Sequence, residues 1–294
     1  MSDLDFPVRY SEVREWARGE GIAVWDAERR YAQYLILQAI SRNDFLRNEL
    51  AFKGGNALEF VYLPNRSTTD LDFSFLTGGQ NTESLLQTSE RELRATLFQT
   101  NDGFGTVLRL QSMKQNPPRT DAHFPTFTAR IGFAMPDQRR QRDRLLAGEP
   151  SANVIPVEMT LNEIVCEWSS IVIGRSTIDL LVSSINDIVA EKLRAILQQK
   201  SRNRYRSQDV LDIASMCVAN NLEIDQSKVG EFLLRKSAAR KVSVSRTDFQ
   251  DSEIRHRSAE QYDDLRHTTR FTFIPFDEAW EIVMDLVDQL DIPD

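Results

Sequence analysis

The fold is decided by Phe52-Lys53-Gly54-Gly55-Asn56-Ala57-Leu58, followed after a short gap by Arg66-Ser67-Thr68-Thr69-Asp70-Leu71-Asp72-Phe73. In the first stretch an apolar segment ends at two glycines, which permit positive φ and close backbone approach, so that successive N–H groups can turn toward an anion. A helix that begins near Asn56 would add its positive end at the same place. This pattern is typical of a turn that holds phosphate, although a pair of glycines by itself is most often only a turn.

The second stretch predicts a strand with two carboxylates on one face. Apolar Leu71, Phe73 and Phe75 alternate with polar residues, and this period of two puts Asp70 and Asp72 side by side. Two hard oxygen ligands suit Mg²⁺ held against a triphosphate. An Asp-x-Asp pair alone is more often a solvated strand face, but on an apolar strand two like charges repel one another and need a compensating cation.

Composition narrows the class of protein. A chain of 294 residues can bury one large core or two modest ones, and we favour two regions. The net charge of −8 does not give the field of a general nucleic-acid binder, so contact with RNA would use local basic patches. Cys166, Cys217 and the three histidines show no metal-ligand spacing, which argues against a zinc site or a disulfide framework.

Hydropathy indicates where the protein works. The amino terminus carries charged residues and lacks the apolar segment of a signal peptide. No later stretch is apolar enough to span a bilayer. We therefore expect a cytoplasmic protein without a membrane contact.

The order of predicted elements indicates an α+β fold with two regions. Apolar residues at helical spacing predict a helix over about 24–42, with Glu28, Arg29 and Arg30 on its polar side. Strand-like segments then recur up to about residue 182, with 136–150 as a polar connection, and the pattern is mostly helical afterwards. We expect an α/β domain over 1–180 and a mostly helical domain over 181–294.

A third carboxylate is a candidate for the same site. In the predicted strand 154–161, Val157 and Met159 face one way and Glu158 faces the other. Two-metal catalysis commonly uses three carboxylates, so Glu158 could join Asp70 and Asp72. An exposed glutamate on an edge strand would give the same pattern.

Two helices of the second region carry further candidates. In the helix predicted after Ser184, Lys192 falls inside the apolar arc, where a lysine either extends to a rim or contacts an anion such as a triphosphate. The next predicted helix has Asp209 and Asp212 on one face. If Ser207 is the N-cap, these aspartates lie in the first turn of the helix, where acids also simply complement the helix dipole. That alternative does not explain why the neighbouring helix carries an inward-facing lysine.

Together these motifs resemble the AbiEii-type nucleotidyltransferase toxins of bacterial type IV toxin–antitoxin systems. The matching pieces are Lys53-Gly54-Gly55-Asn56-Ala57-Leu58, Arg66-x-Thr68-x-Asp70-Leu71-Asp72-Phe73, Ile188-x-Ala190-Glu191-Lys192-Leu193-Arg194-Ala195 and Asp209-Val210-Leu211-Asp212. The resemblance covers roughly residues 50–216. It implies a polymerase β-like nucleotidyltransferase fold, with a mixed sheet that bears the metal carboxylates, flanking helices and a mostly helical second region. Asn56 departs from the Ser or Thr usual after the glycine pair, but its amide can still donate to phosphate.

The resemblance also implies the reaction, which is transfer of a nucleoside monophosphate from an NTP to an acceptor hydroxyl. Asp70 and Asp72, with Glu158, would hold Mg²⁺. Lys192 would neutralise the triphosphate, and Asp209 or Asp212 would assist the acceptor or complete the site. The residues expected to bind the nucleotide are Lys53, Gly54, Gly55, Asn56, Arg66, Thr68 and Lys192.

Family members are linked to modification of tRNA ends and to neutralisation by a separately encoded antitoxin. The resemblance therefore implies a tRNA acceptor, an antitoxin partner and a role in toxin–antitoxin or phage-defence systems such as abortive infection. The basic groups at 139–144, 200–206 and 235–246 could grip RNA phosphates, or could be solvated surface residues. Three alternatives stay open, namely an NTP-binding regulatory protein without turnover, transfer to a protein or small molecule, and a metal-dependent hydrolase, which would leave the glycine turn without a task.

Overall fold

The computed structural model describes residues 6–64, 68–79, 81–119, 122–173, 178–270 and 273–294, without the side chains of 101–104. Arg66, one of the residues expected to bind the nucleotide, lies outside these ranges. No helix within these ranges combines the length and the apolar character needed to cross a bilayer.

The strands of the described residues form one mixed sheet. They are β1 (Leu50–Lys53), β2 (Leu71–Phe75), β3 (Val107–Asn116), β4 (Thr126–Ala134), β5 (Val154–Thr160), β6 (Trp168–Ile173) and β7 (Ile178–Ser183). Their spatial order is β3-β4-β5-β2-β1-β7-β6. β2 is antiparallel to β1 and parallel to β5, and β1 is parallel to β7.

Helices flank the sheet along the chain and dominate the part that follows it. The α-helices of the described residues are α1 (Val13–Glu20), α2 (Val24–Arg42), α3 (Asp44–Glu49), α4 (Gly54–Ala57), α5 (Thr82–Phe104), α6 (Arg139–Leu146), α7 (Ile185–Leu197), α8 (Gln199–Arg202), α9 (Ser207–Val218), α10 (Gln226–Ala239), α11 (Arg246–Phe249), α12 (Ser252–Ala259) and α13 (Phe276–Asp288). A π-helical turn, Leu58–Tyr62, continues α4, and short 3-10 turns lie at Tyr10–Glu12 and Asp263–His267. The predicted α+β class is therefore confirmed.

Aromatic side chains build the core at the middle of the sheet. The ring of Phe52 on β1 lies 5.1 Å from that of Phe73 on β2, and the ring of Phe75 lies 5.9 Å from that of Phe127 on β4. All four residues are buried. The alternation predicted for β2 is thus observed, and it turns Asp72 away from this aromatic layer.

Helix α2 is more deeply buried than its sequence pattern predicts. Glu28 and Arg30, which we expected on a polar side, are both buried, whereas Val24 is exposed. The reason is that α2 contacts α1, α3, α5 and β5, so little of its surface is left for solvent. Amphipathic spacing assumes one open face, and α2 does not have one.

Residues 136–150 are more than the polar connection we expected, because they contain α6. Leu145 of this helix is buried with Val107 of β3 and Ala134 of β4. Because this helix buries little apolar surface, its apolar residues do not recur at a clear helical spacing, and its arginines make that spacing harder to recognise.

The chain separates into two compact units. The first consists of Met1–Val61, Thr68–Glu163 and Ser169–Val182, and the second of Tyr62–Ser67, Ile164–Trp168 and Ser183–Asp294. The second unit thus takes two short segments from the first 180 residues, which the sequence did not indicate. The carboxylate-bearing strands β2 and β5 belong to the first unit, and α7 and α9 belong to the second.

In the second unit α7 packs against α9 and α10, and α13 packs against α9. Ser184 caps α7 as predicted, because its Oγ accepts a hydrogen bond from the N–H of Asp187 at 3.1 Å. Helix α9 begins at Ser207 with Arg206 in the cap position, so Ser207 is not the N-cap that we expected. The packing of α7 on α9 brings residues of these two helices into contact.

Candidate active site

The glycine turn and the Asp-x-Asp strand lie in direct contact. Lys53, the last residue of β1, pairs with Asp72 of β2 in the antiparallel register. The chain then turns at Gly54, whose φ is +74°, and α4 begins at this residue and not near Asn56 as predicted. A Cβ on Gly54 would collide with the carboxylate of Asp72. Glycine is therefore required here both for the backbone conformation and for the approach to Asp72.

Replacing Gly54 by alanine is expected to lower the free energy of unfolding by about 2–4 kcal/mol, because backbone strain and displacement of the Asp72 carboxylate add. Gly21→Ala is the matched control, since Gly21 also has a positive φ, of +67°, but a Cβ there would meet no atom within 4 Å. The control should lose only about 1 kcal/mol. Chemical denaturation measures both values, and equal losses would contradict the contact between Gly54 and Asp72.

Asp72 and Glu158 are neighbours across the sheet, because the parallel register of β2 and β5 pairs them directly. Asp70 lies just before β2. Burial and the charge of Asp70, with smaller effects of Glu158 and Glu163, raise the pKa of Asp72 to about 7, although Lys53 acts to lower it. Negative charge is therefore in excess around Asp72, which is the condition that favours a cation.

The raised pKa of Asp72 predicts how the stability of the metal-free protein depends on pH. The folded protein keeps this proton up to about pH 7, whereas the unfolded chain loses it near the ordinary value of 3.8. Between these values the folded state binds more protons, so the free energy of unfolding falls as the pH rises. In the wild type this fall in the free energy of unfolding is at most about 1.4 kcal/mol per pH unit. In Asp72→Asn the fall should be absent. Denaturation of both proteins across this range measures it, and parallel curves would contradict the raised pKa.

Glu163 is a residue of this site that sequence reasoning missed. Its side chain is 7% exposed and forms an ion pair with the Nζ of Lys53. Its carboxylate also accepts a hydrogen bond from the Oγ of Ser74 at 2.6 Å, and Ser74 shares a strand face with Asp72. The amine of Lys53, which we expected to contact the nucleotide, is thus held by a carboxylate. The buried serine two residues after Asp72 was the one available signal.

The side chain of Asn56 is committed to the protein. It is buried, its Nδ2 donates to the carbonyl oxygens of Asp70 and Thr68, and its Oδ1 accepts from the Nη1 of Arg30 at 2.8 Å. The amide is thus occupied within the protein, and its donation to phosphate stays a prediction that would require one of these hydrogen bonds to break. A phosphate contact here would use the backbone N–H, and the amide instead ties the segment before β2 to the glycine turn.

Arg30 makes the burial of Asn56 possible. Its guanidinium forms an ion pair with Glu59, and both side chains are 2% exposed. The Cζ of Arg30 also lies 4.3 Å from the centre of the Phe60 ring. The positive charge is thus compensated while one N–H group remains for Asn56. Sequence reasoning missed this role because it placed Arg30 on a polar face.

The carbonyl oxygen of Thr68 has hydrogen-bond partners, whereas its hydroxyl has none among the described residues. Its carbonyl oxygen accepts a hydrogen bond from the Nε2 of Gln33 at 3.0 Å. Its Oγ1 is buried and finds no hydrogen-bond partner among the described residues. A buried hydroxyl without a partner costs free energy, and a phosphate oxygen would satisfy it.

The carboxylates fit Mg²⁺ when substrate oxygens complete the coordination. In the described ranges no three histidine, cysteine or carboxylate side chains converge to hold a metal ion on their own. Mg²⁺ commonly takes one or two protein carboxylates and receives its other ligands from phosphates and water. The charge excess around Asp72 suits that arrangement, and Asp70, Asp72 and Glu158 stay the predicted residues from which such ligands would come.

A second charged cluster lies in the second unit. The Nζ of Lys192 on α7 is 2.8 Å from the Oδ1 of Asp209 and 2.8 Å from the Oδ2 of Asp212, both on α9. The Nη1 of Arg206 is 3.6 Å from the other oxygen of Asp209. Lys192 is buried, as its place in the apolar arc predicts, and the anions that it contacts are these two aspartates.

The aspartates keep Lys192 charged. Burial lowers the pKa of Lys192, but the charges of Asp209 and Asp212 more than offset this effect and raise the pKa above its ordinary value. Lys192 is therefore a fixed positive charge at neutral pH. It can stabilise negative charge, but it does not have the free amine that a general base needs.

The predicted site residues thus fall into two clusters, one in each unit. In the first unit the structure brings together Lys53, Gly54, Asn56, Thr68, Asp70, Asp72 and Glu158, with Gly55 in the first turn of α4. In the second unit it joins Lys192, Asp209 and Asp212.

Comparison with known protein families gives a match over most of the chain. The family described as "Nucleotidyl transferase AbiEii toxin, Type IV TA system" matches residues 35–282. The chain is similar to the solved structure of a candidate nucleotidyltransferase from H. pylori, with 12% identity, a TM-score of 0.49 and coverage of 89% of this chain and 92% of that chain. It is also similar to JHP933 from Helicobacter pylori, with 11% identity, a TM-score of 0.38 and coverage of 90% of each chain. No curated protein matches. The family match spans both clusters.

Proposed function

The chain belongs to the AbiEii family of nucleotidyl transferase toxins of type IV toxin–antitoxin systems, and from this membership we propose that it transfers a nucleoside monophosphate from an NTP to the 3′ end of tRNA. The acceptor hydroxyl oxygen forms a bond to the α-phosphorus, and the bond from that phosphorus to the bridging oxygen breaks. Pyrophosphate leaves, and the hydroxyl proton passes to a carboxylate or to water. In such a reaction the protein mainly positions the reactants and neutralises the charge of the phosphates.

Within the structure, the contact between Gly54 and Asp72 is the observation that supports nucleotidyl transfer. It joins a turn suited to phosphate and a carboxylate suited to a cation, two parts that nucleotidyl transfer needs side by side. A turn that only reversed the chain would not require a glycine packed against a carboxylate with a raised pKa.

We assign Asp70, Asp72 and Glu158 to Mg²⁺, which when bound would offset the negative charge of the triphosphate and of the attacking oxygen. Backbone N–H groups of Gly54, Gly55 and Asn56 orient the phosphates. The hydroxyl of Thr68, which lacks a partner among the described residues, donates to a phosphate oxygen. Lys53 and Arg66 complete the predicted nucleotide-binding set.

We also assign Lys192, Asp209 and Asp212 to the reaction. Lys192 is a buried, permanently charged lysine, and such a group contributes by stabilising negative charge. One of the two aspartates assists the acceptor hydroxyl.

The proposal also includes RNA as the acceptor and an antitoxin as a partner. Membership in a type IV toxin family supports a cognate antitoxin. Local basic groups on a chain with a net charge of −8 support a contact with RNA phosphates. Expression should therefore arrest bacterial growth, and the antitoxin should relieve the arrest.

One experiment tests the reaction directly. Purified protein is incubated with Mg²⁺, total tRNA and each α-labelled NTP in turn, next to Asp72→Asn and to Asp179→Asn. Asp179 is the matched control because it is an exposed aspartate on β7 of the same sheet. Label in tRNA with the wild type and the control alone supports the proposal. Label on protein would indicate a protein acceptor, NTP binding without transfer would indicate a regulatory protein, and labelled NMP in solution would indicate a hydrolase.

A further inference from the structure

The segment Lys200-Ser201-Arg202-Asn203-Arg204-Tyr205-Arg206, here called the basic segment, carries four positive charges and no negative one. Lys200 and Arg206 are each paired with carboxylates. Arg202 and Arg204 are exposed, and in the described part of the chain their guanidinium groups have neither an ion-pair nor a hydrogen-bond partner. On an acidic protein such uncompensated cations mark a place for an external anion.

Tyr205 adds an exposed aromatic ring to these cations. The residue is 56% exposed, and among the described residues its ring packs on no other ring. The turn that carries it is ordered, since the N–H of Arg204 donates to the carbonyl of Gln199 at 3.0 Å. Asn203, with a φ of +48°, accepts a further hydrogen bond from the Nη1 of Arg257 at 3.1 Å. The ring is thus presented to solvent from a fixed backbone.

A cleft of about 560 Å³ in the second unit extends this basic surface. The turn after α10 lies on the cleft wall together with the start of the basic segment, so two basic groups that are distant in sequence meet there. The charged residues that line the cleft are Lys200, Arg202, Arg240, Lys241, Asp248 and Asp251. Positive charges outnumber negative ones, which suits a chain of phosphates.

We propose that the basic segment binds a single-stranded stretch of the acceptor RNA, with a base stacked on Tyr205 and the flanking phosphates on Arg202 and Arg204. This inference rests on the proposed function in taking RNA as the acceptor. Single strands are bound by aromatic rings combined with positive charge, because every base has a face that can stack. Duplex RNA buries its base faces and would leave Tyr205 unused.

The position of the basic segment along the chain supports this role. It ends at Arg206, which contacts Asp209, and Asp209 contacts Lys192. RNA held by Arg204 and Tyr205 therefore lies within a few residues of the cluster assigned to the reaction. A single-stranded 3′ end is the part of an acceptor that must reach such a cluster.

Fluorescence anisotropy of labelled RNA, without NTP, tests the inference in the full-length protein. The probes are a hairpin with a single-stranded 3′ tail and the same hairpin with a blunt end. Tyr205→Ala should weaken binding of the tailed hairpin about tenfold, and Tyr205→Phe should bind it within about twofold of the wild type, because phenylalanine keeps the stacking face. The double variant Arg202→Ala with Arg204→Ala should weaken both probes and reduce the salt dependence.

Phe98→Ala is the matched control, since Phe98 is 69% exposed on α5 and the basic residue one turn before it, Arg94, is paired with Glu90. It should bind both hairpins as the wild type does. Equal affinity of Tyr205→Ala and wild type for the tailed hairpin would overturn the inference and leave the proposed transfer untouched. The inference would also be overturned if Tyr205→Ala bound RNA as the wild type does but no longer bound the antitoxin. That result would assign the surface to a protein partner. A wild type that binds neither hairpin would overturn the inference, and label transfer to tRNA would still decide separately whether RNA is the acceptor.

Discussion

Asp72→Asn is expected to reduce nucleotidyl transfer by a factor on the order of 10³ or more, while the protein melts at an unchanged or higher temperature. Asparagine keeps the shape that packs against Gly54 but removes the charge that a cation needs. Because burial and neighbouring carboxylates raise the pKa of Asp72 to about 7, the ionised group costs folding free energy at neutral pH. Label transfer and thermal melting of the same preparation measure both effects.

The combination of lost activity and kept stability is what identifies a functional carboxylate. Asp179→Asn changes the same chemical group on another strand of the sheet, where it is exposed, and should keep full activity. Wild-type transfer by a folded Asp72→Asn protein would exclude Asp72 as a metal ligand. A melting temperature well below that of the wild type would instead indicate that the carboxylate stabilises the fold.

Lys192→Met is expected to lower the free energy of unfolding by about 3–5 kcal/mol, because it leaves Asp209 and Asp212 charged and poorly solvated without their partner. Transfer by the molecules that remain folded should fall about 100-fold or more. Chemical denaturation gives the first value. Activity divided by the folded fraction, taken from circular dichroism at the assay temperature, gives the second.

The triple variant Lys192→Met, Asp209→Asn and Asp212→Asn separates structure from function. It removes all three charges together, so most of the stability should return, whereas activity should stay as low as in Lys192→Met. Activity that returned with stability would show that Lys192 only compensates the two aspartates.

Lys236→Met is the matched control for a buried lysine. Lys236 lies 3.0 Å from Asp187 in the same unit, and both side chains are at most 5% exposed. This variant should lose as much stability as Lys192→Met but keep its activity per folded molecule. Equal losses of activity in the two variants would mean that any buried charge defect in this unit stops the reaction.

Periodicity predicted those parts of the site that depend on one strand or one helix. The alternation around Asp72 placed it opposite the aromatic layer, and the helical wheel placed Lys192 on a buried face. Both follow from local geometry, which repeats along the chain and can therefore be read from residue spacing. The same reasoning put Glu158 on the face opposite Val157, and the sheet register pairs it with Asp72.

Partners that come from distant parts of the chain were not predictable in this way. The ion pair of Lys53 with Glu163 and the hydrogen bond of Arg30 to Asn56 depend on tertiary packing, which spacing does not record. Helix α2 was misjudged for the same reason, since a helix covered on several sides shows little amphipathic contrast. In a sequence, a polar residue that is buried and paired looks the same as a polar residue on a solvent-exposed face.

The hydrogen bonds of Asn56 couple it to two other buried residues, Arg30 and Glu59. A serine at this position would be too short to serve both Arg30 and the carbonyl of Asp70. One partner would then be buried without a hydrogen bond, and the ion pair of Arg30 with Glu59 would lose its third member. Substitutions at residues 30, 56 and 59 should therefore change the free energy of unfolding in a non-additive way, because each one removes a partner on which the other two depend.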